Sequence, residues 1–232
     1  MTMQNIKPLL QTLTLILLSS LCQAPKAQMQ IIGGSKAQRQ FFNLSQEKIY
    51  IDVETQTLYL TTGYNTVISS YKISTGRTGT GEGHGSYKTP RGQFEIYSKV
   101  GDNQDPMSKY KARVKVGTYD PAHARFDNIL SRILTLEGKQ EHNKNTRQRC
   151  VYIHGTSAID RLGKKPCSMG CVRMCPYQII DLYKQVDSGT AVYIHDSNNK
   201  LPWESKATVH IDADGNVLFS QRRDKLEISY AA

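Results

Sequence analysis

The stretch Val151–Met174 reads V-Y-I-H-G-T-S-A-I-D-R-L-G-K-K-P-C-S-M-G-C-V-R-M, and the rest of the chain is best read outward from it. It opens as a short apolar run, Val151, Tyr152 and Ile153, which breaks at His154 into Gly155 and Thr156. Such a run, bounded by a turn signal, predicts a buried strand that delivers a histidine at its end. Cys171 follows Gly170 and stands two residues before Arg173. A cysteine attacks as the thiolate, and a free thiol is mostly protonated at neutral pH. A nearby imidazole can take that proton and later return it to a leaving amine. Gly170 would let the backbone approach closely and turn N–H groups towards a developing oxyanion. Arg173 has the charge to stabilise a thiolate or to hold a substrate carboxylate. Of the six histidines (His84, His123, His142, His154, His195 and His210), only His154 shares a block with a glycine-flanked cysteine. On residue types alone, a core cysteine and a structurally satisfied histidine remain an alternative.

The flanks predict a mainly β, sandwich-like domain over 48–196 with one clear helix. Upstream, Ile49, Ile51 and Val53 alternate with Tyr50, Asp52 and Glu54, the period of a half-buried strand. Short strands are expected at Thr57–Leu60, Val67–Ile73, Gln93–Ser98, Ala112–Val116 and Arg132–Glu137, with a helical turn or two between Pro121 and Arg132. Gly76–Gly92 matches neither a dinucleotide fingerprint nor a P-loop and reads as a flexible surface loop, with His84 solvated in it. Glu141–Arg149 is polar and basic; it reads as a solvated face, with a grip on acidic polymer as the other possibility. Downstream, Pro176 suits a first helical position. Ile179, Ile180, Leu182, Tyr183 and Val186 make an apolar stripe, and Gly189 stops it. Thr190–Ile194 is a further strand. The extension 197–232 contains a hairpin between Ala207 and Phe219, turning at Asp214-Gly215.

The N-terminus sets the compartment. Lys7 precedes an apolar run from Leu9 to Leu21 that ends in small and polar residues, the pattern of a secretory signal over 1–27. Gln11, Thr12 and Thr14 interrupt it, although an uncleaved anchor is the competing reading. Residues 28–47 are polar and read as a linker or arm. The chain has 232 residues and a formal charge of +10, so its partners should be acidic. Export directs that charge away from nucleic acid and towards the periplasm or cell envelope. Cys22 leaves with the signal, which leaves Cys150, Cys167, Cys171 and Cys175. The C-x-x-C pair usual in zinc and iron–sulfur sites is absent, so no metal is expected.

The block I-H-G-T…S-M-G-C-V-R-M resembles the signature of the L,D-transpeptidase catalytic domain (YkuD-like) family, in which H-G-T precedes S-H-G-C, an aliphatic residue and Arg. Thr89-Pro90-Arg91-Gly92-Gln93-Phe94 is similar to that family's T-P-x-G-x-F turn and strand. Arg132-Ile133-Leu134 resembles its pre-catalytic strand, and the likeness extends over roughly Lys48 to Ile194. The resemblance implies Cys171 as nucleophile and His154 as proton acceptor and donor, with the Gly155 carbonyl orienting the ring. Ser168, Met169, Gly170 and Arg173 fall at positions that shape the site. Met169 departs from the family, which usually has a second histidine there. No cofactor is implied. The implied reaction is acyl transfer from a peptidoglycan stem tetrapeptide, with loss of D-alanine, to an amine on a second stem or on an envelope protein. The alternatives are hydrolysis of the same acyl-enzyme by an L,D-carboxypeptidase, and a wall-binding module that has lost activity. Cys167 or Cys175 could close a disulfide with Cys150, or oxidise with Cys171.

Overall fold

The computed structural model describes residues 47–63, 65–123, 127–196, 201, 208–211 and 217–220. The expected signal and nearly all of the expected arm lie outside them. Ten strands form one sheet: β1 (Lys48–Asp52), β2 (Thr57–Thr61), β3 (Val67–Ser74), β4 (Gly92–Val100), β5 (Ser108–Lys111), β6 (Val114–Thr118), β7 (Ile129–Gly138), β8 (Tyr152–Thr156), β9 (Val172–Met174) and, after helix α1 (Pro176–Gln185), β10 (Ala191–His195). A mainly β chain with one helix after the cysteine block is what the sequence predicts. The strand order is β4-β10-β1-β2-β3-β9-β8-β7-β5-β6, and β4 also pairs with β7. That extra pairing closes eight of the strands into a ring, with the β5–β6 hairpin attached to the start of β7.

The alternation of β1 and β2 puts Ile49, Ile51, Leu58 and Leu60 into one core, and β7, β8 and β9 add Leu134, Leu136, Ile153, Val172 and Met174. Ile179, Leu182, Tyr183 and Val186 bring the apolar stripe of α1 onto the same core, against β7 and β8. Pro176 is the first residue of α1, where its missing N–H costs nothing. Gly189, with φ +89°, takes the chain into β10 as its N–H donates to the Ile96 carbonyl.

Several local expectations change. An additional strand, β5, precedes the strand expected from Ala112, which begins at Val114 because Ala112 and Arg113 form the turn of a hairpin. Both turn residues have positive φ without the Asn-Gly or Asp-Gly signal that normally announces such a turn. Among the described residues of the next segment, only Pro121–His123 is helical, and β7 starts earlier than its apolar period suggests. The C-terminal hairpin is present as β11 (Thr208–Ile211) paired with β12 (Val217–Ser220); its expected turn lies outside the described residues.

Gly76–Gly92 and Glu141–Arg149 are not the free loop and solvated face that their composition suggests. They are bonded to each other. Asn143 Nδ2 donates to the carbonyls of Arg91 and Gln93 at 2.9 and 3.1 Å, and Asn145 Nδ2 donates to Glu82 O at 3.0 Å. Arg149 donates to Gly81 O at 3.1 Å and Lys88 O at 2.6 Å. Asn143 and Thr146 are fully buried, which a polar run alone does not reveal.

Candidate active site

The site stands where β8 and β9 run parallel, with Ile153 opposite Val172, His154 opposite Arg173 and Gly155 opposite Met174. Side chains alternate across a strand, so Ile153, Val172 and Met174 enter the main core while His154 and Arg173 share the other face. Tyr152 lies on that second face in a smaller cluster with Tyr110 and Ile133, against which Cys171 packs. The strand pairing therefore brings the expected histidine and cysteine to one place, although His154 and Cys171 are far apart in the chain.

The turn that leads into Cys171 is closed by Ser168. Its hydroxyl donates to Cys171 O at 2.6 Å and accepts the Gly170 N–H at 3.1 Å. Gly170 has φ +109°, a conformation that side chains rarely adopt, and a Cβ there would stand 3.1 Å from Lys88 O. The Gly170 N–H is thus used inside the turn rather than turned outward for an oxyanion. Met169 at the tip is 67% exposed. Thr89, from the glycine-rich loop, donates to Gly170 O at 2.9 Å and accepts the Gly76 N–H at 2.8 Å.

Cys171 Sγ receives the Tyr152 N–H at 3.4 Å, and its S–H donates to Cys150 O at 3.4 Å. Burial pushes the thiol up to about 11; the Tyr152 N–H and the Arg173 charge pull the other way. His154 is 4% exposed, and Nδ1 lies 2.8 Å from Gly155 O. A carbonyl only accepts, so Nδ1 carries the proton and the neutral ring keeps its lone pair on Nε2. Burial lowers the pKa of His154, opposed by the Gly155 carbonyl and Asp127. Both groups are therefore neutral at rest, and no hydrogen bond joins them among the described residues. Such a pair supplies a thiol and a free base rather than a preformed ion pair. Gly155 is required for packing too, since a Cβ there would meet Leu130 O at 2.6 Å.

Arg173 is placed differently from the expectation. It is 4% exposed, ion-paired to Asp127, and donates to Cys167 Sγ, while its Nε is buried without a partner. Asp127 also accepts the Thr156 hydroxyl. The Arg173 charge is thus neutralised within the fold rather than left for a substrate carboxylate. Asp127 belongs to no motif; it reaches the site because it lies just ahead of Ile129, where β7 begins beside the end of β8. Cys150, Cys167 and Cys171 are all free thiols, so neither expected disulfide with Cys150 forms and Cys171 is not bridged.

A thiol after a glycine-bent turn and a buried neutral imidazole thus share one face of a closed β-sheet. Residues 46–194 match the L,D-transpeptidase catalytic domain (YkuD), and the chain belongs to that family. A Bacillus subtilis protein, YqjB, named as a candidate L,D-transpeptidase, is 29% identical over 138 residues, which cover 59% of this chain and 65% of that protein. The chain therefore spans just under two thirds of that relative. An L,D-transpeptidase structure from Mycobacterium smegmatis aligns with a TM-score of 0.44 at 18% identity, covering 65% of this chain and 58% of that one. Another from Xylanimonas cellulosilytica aligns with a TM-score of 0.43 at 20% identity, covering 65% and 61%.

Proposed function

We propose that the protein is a peptidoglycan L,D-transpeptidase that works through a Cys171 thioester. The observation that carries this is the His154–Gly155 hydrogen bond, which leaves Nε2 as the basic nitrogen on the face that Cys171 shares. Membership of the family supports a peptidoglycan stem peptide as the substrate class, and the donor in this reading is a tetrapeptide ending in D-alanine. His154 Nε2 accepts the thiol proton as sulfur attacks the carbonyl carbon on the donor side of the D-alanine nitrogen. The C–N bond then breaks, and the imidazolium returns the proton to the departing amine. An acceptor amine on a second stem, or on an envelope protein, attacks the thioester and gives a proton to His154. The C–S bond breaks, and the proton passes back to sulfur. A charge of +10 favours residence at the anionic wall, in keeping with an exported chain.

The test is incubation of the purified protein with disaccharide tetrapeptide, read by mass spectrometry. Cross-linked dimers, absent with Cys171→Ala, are expected. Tripeptide alone would replace transfer by hydrolysis of the same acyl-enzyme. No conversion and no acyl adduct on Cys171 would end the enzymatic reading.

A further inference from the structure

We infer that Arg149 is a specificity-determining residue that holds a substrate carboxylate beside the bond attacked by Cys171; this rests on the acyl-transfer reading of the site. The chemistry calls for a cation. A stem tetrapeptide ending in diaminopimelate and D-alanine carries carboxylates on both sides of the scissile bond. Arg173 is the cation that the motif offers, but Asp127 already neutralises it and Cys167 takes another of its donors. Arg149 is in the opposite condition. Among the described residues no carboxylate lies within ion-pair distance of it.

Three contacts bring the Arg149 guanidinium to the nucleophile. Arg149 immediately precedes Cys150, whose carbonyl accepts the Cys171 thiol at 3.4 Å. Its Nη2 donates to Lys88 O at 2.6 Å, the same oxygen that would lie 3.1 Å from a Cβ on Gly170. Its Nη1 donates to Gly81 O at 3.1 Å, with Ser86 Oγ 3.4 Å from Nη2. Burial is the main influence on the Arg149 guanidinium and lowers its pKa; Glu82, and Cys171 when it is a thiolate, oppose it, so the guanidinium is within electrostatic reach of the sulfur. These acceptors are all neutral, so they fix the plane of the guanidinium without cancelling its charge. A guanidinium has five N–H donors, and Nε and one hydrogen of Nη1 are not used by these contacts, so a donor remains for a charge-assisted hydrogen bond to a carboxylate. Lys88 and Arg113 also lie near the site, but Arg113 is exposed on the hairpin turn and neither is fixed by a comparable set of bonds.

The experiment uses the full chain with Cys171→Ala, so that ligands bind without reacting, and compares Arg149 with Arg149→Gln and Arg149→Lys by calorimetry. Three ligands are measured: disaccharide tetrapeptide, its derivative amidated at the D-alanine carboxyl, and its derivative amidated at the free diaminopimelate carboxyl. A charge-assisted contact predicts that Arg149→Gln weakens tetrapeptide binding roughly tenfold or more. It should weaken one of the two amides about threefold or less, and that amide identifies the carboxylate. Arg149→Lys should keep part of the acid preference. Asn145→Ala, which removes a neutral loop contact, should leave the preference for acid over amide unchanged. Equal weakening of all three ligands would mean that Arg149 acts only through the loop, and undiminished binding would remove it from the site; either overturns the inference. Turnover by the wild type with no Arg149-dependent acid preference defeats this inference alone. An acid preference without turnover defeats the transpeptidase reading alone.

Discussion

The hydroxyl of Thr89 donates to the carbonyl oxygen of Gly170 at 2.9 Å, tying the end of the glycine-rich loop to the residue before Cys171. The Thr89 oxygen also accepts the Gly76 N–H, so one fully buried side chain joins both ends of the loop to the turn before Cys171. Thr89→Val keeps the shape and leaves a buried donor and acceptor unpaired, a cost of about 1–3 kcal/mol. Thermal unfolding should show Tm lower by roughly 2–4 °C per kcal/mol. Thr89→Ser should recover most of it. A Thr89→Val protein as stable as wild type would mean that water replaces the hydroxyl.

His154 makes stability depend on pH in one direction. Its ordinary pKa of 6.5 is lowered in the folded chain, chiefly by burial. Above 6.5 the ring is neutral whether the chain is folded or not; below it the unfolded chain takes a proton that the folded chain resists. Stability should therefore fall as pH drops below about 6.5. His195, also lowered by burial, adds to the same slope. His154→Asn retains a donor towards Gly155 O and should flatten part of the acid slope in a series of Tm measurements. His195 contributes to the part left over. An unchanged slope in His154→Asn would mean that the ring is solvated in both states.

Asp127 and Arg173 predict a further stability change. Removing the carboxylate leaves a guanidinium 4% exposed and without its counter-charge. Arg173 is buried but the Asp127 side chain is 33% exposed, so the loss should fall between that of an exposed pair and that of a fully buried one, about 1–3 kcal/mol. Asp127→Asn should lower the denaturant midpoint accordingly, and Thr156→Val should cost less, since it removes the hydroxyl's bonds to Asp127 and from the Ala158 N–H but leaves the Arg173 ion pair in place. Equal midpoints for Asp127→Asn and wild type would place the Arg173 charge in water.

What could be read in the sequence and what could not divides by how far apart in the chain the partners lie. Cys171, Gly170 and Ser168 act through contacts two or three residues away, so a short motif records them. The apolar stripe of α1 is legible for the same reason. Asp127 reaches Arg173 across 46 positions, and Arg149 reaches Lys88 across 61. Neither contact leaves a local pattern. A polar run such as Glu141–Arg149 looks solvated because its acceptors are backbone carbonyls of another loop, and backbone acceptors have no residue type to search for. Likewise, the closing of the sheet depends on the pairing of β4 with β7, for which strand periodicity carries no register.

Met169 allows the roles of the two histidine positions to be separated. It occupies the place where the family usually has histidine, at the tip of the turn, 67% exposed. The turn itself is held by Ser168 and Gly170, so Met169→His should change stability by about 0.5 kcal/mol at most. If His154 is the base, a histidine at the tip adds a second titrating group without supplying the first. Alkylation of Cys171 by iodoacetamide, followed on the peptide that contains it, should then stay within about threefold of wild type in Met169→His. Cys150, exposed and free, provides the reference rate within the same molecule. Acylation by tetrapeptide should be lost in His154→Gln and should not return in the double variant His154→Gln, Met169→His. Recovery in the double variant would move the base to the tip of the turn and leave His154 a positioning role.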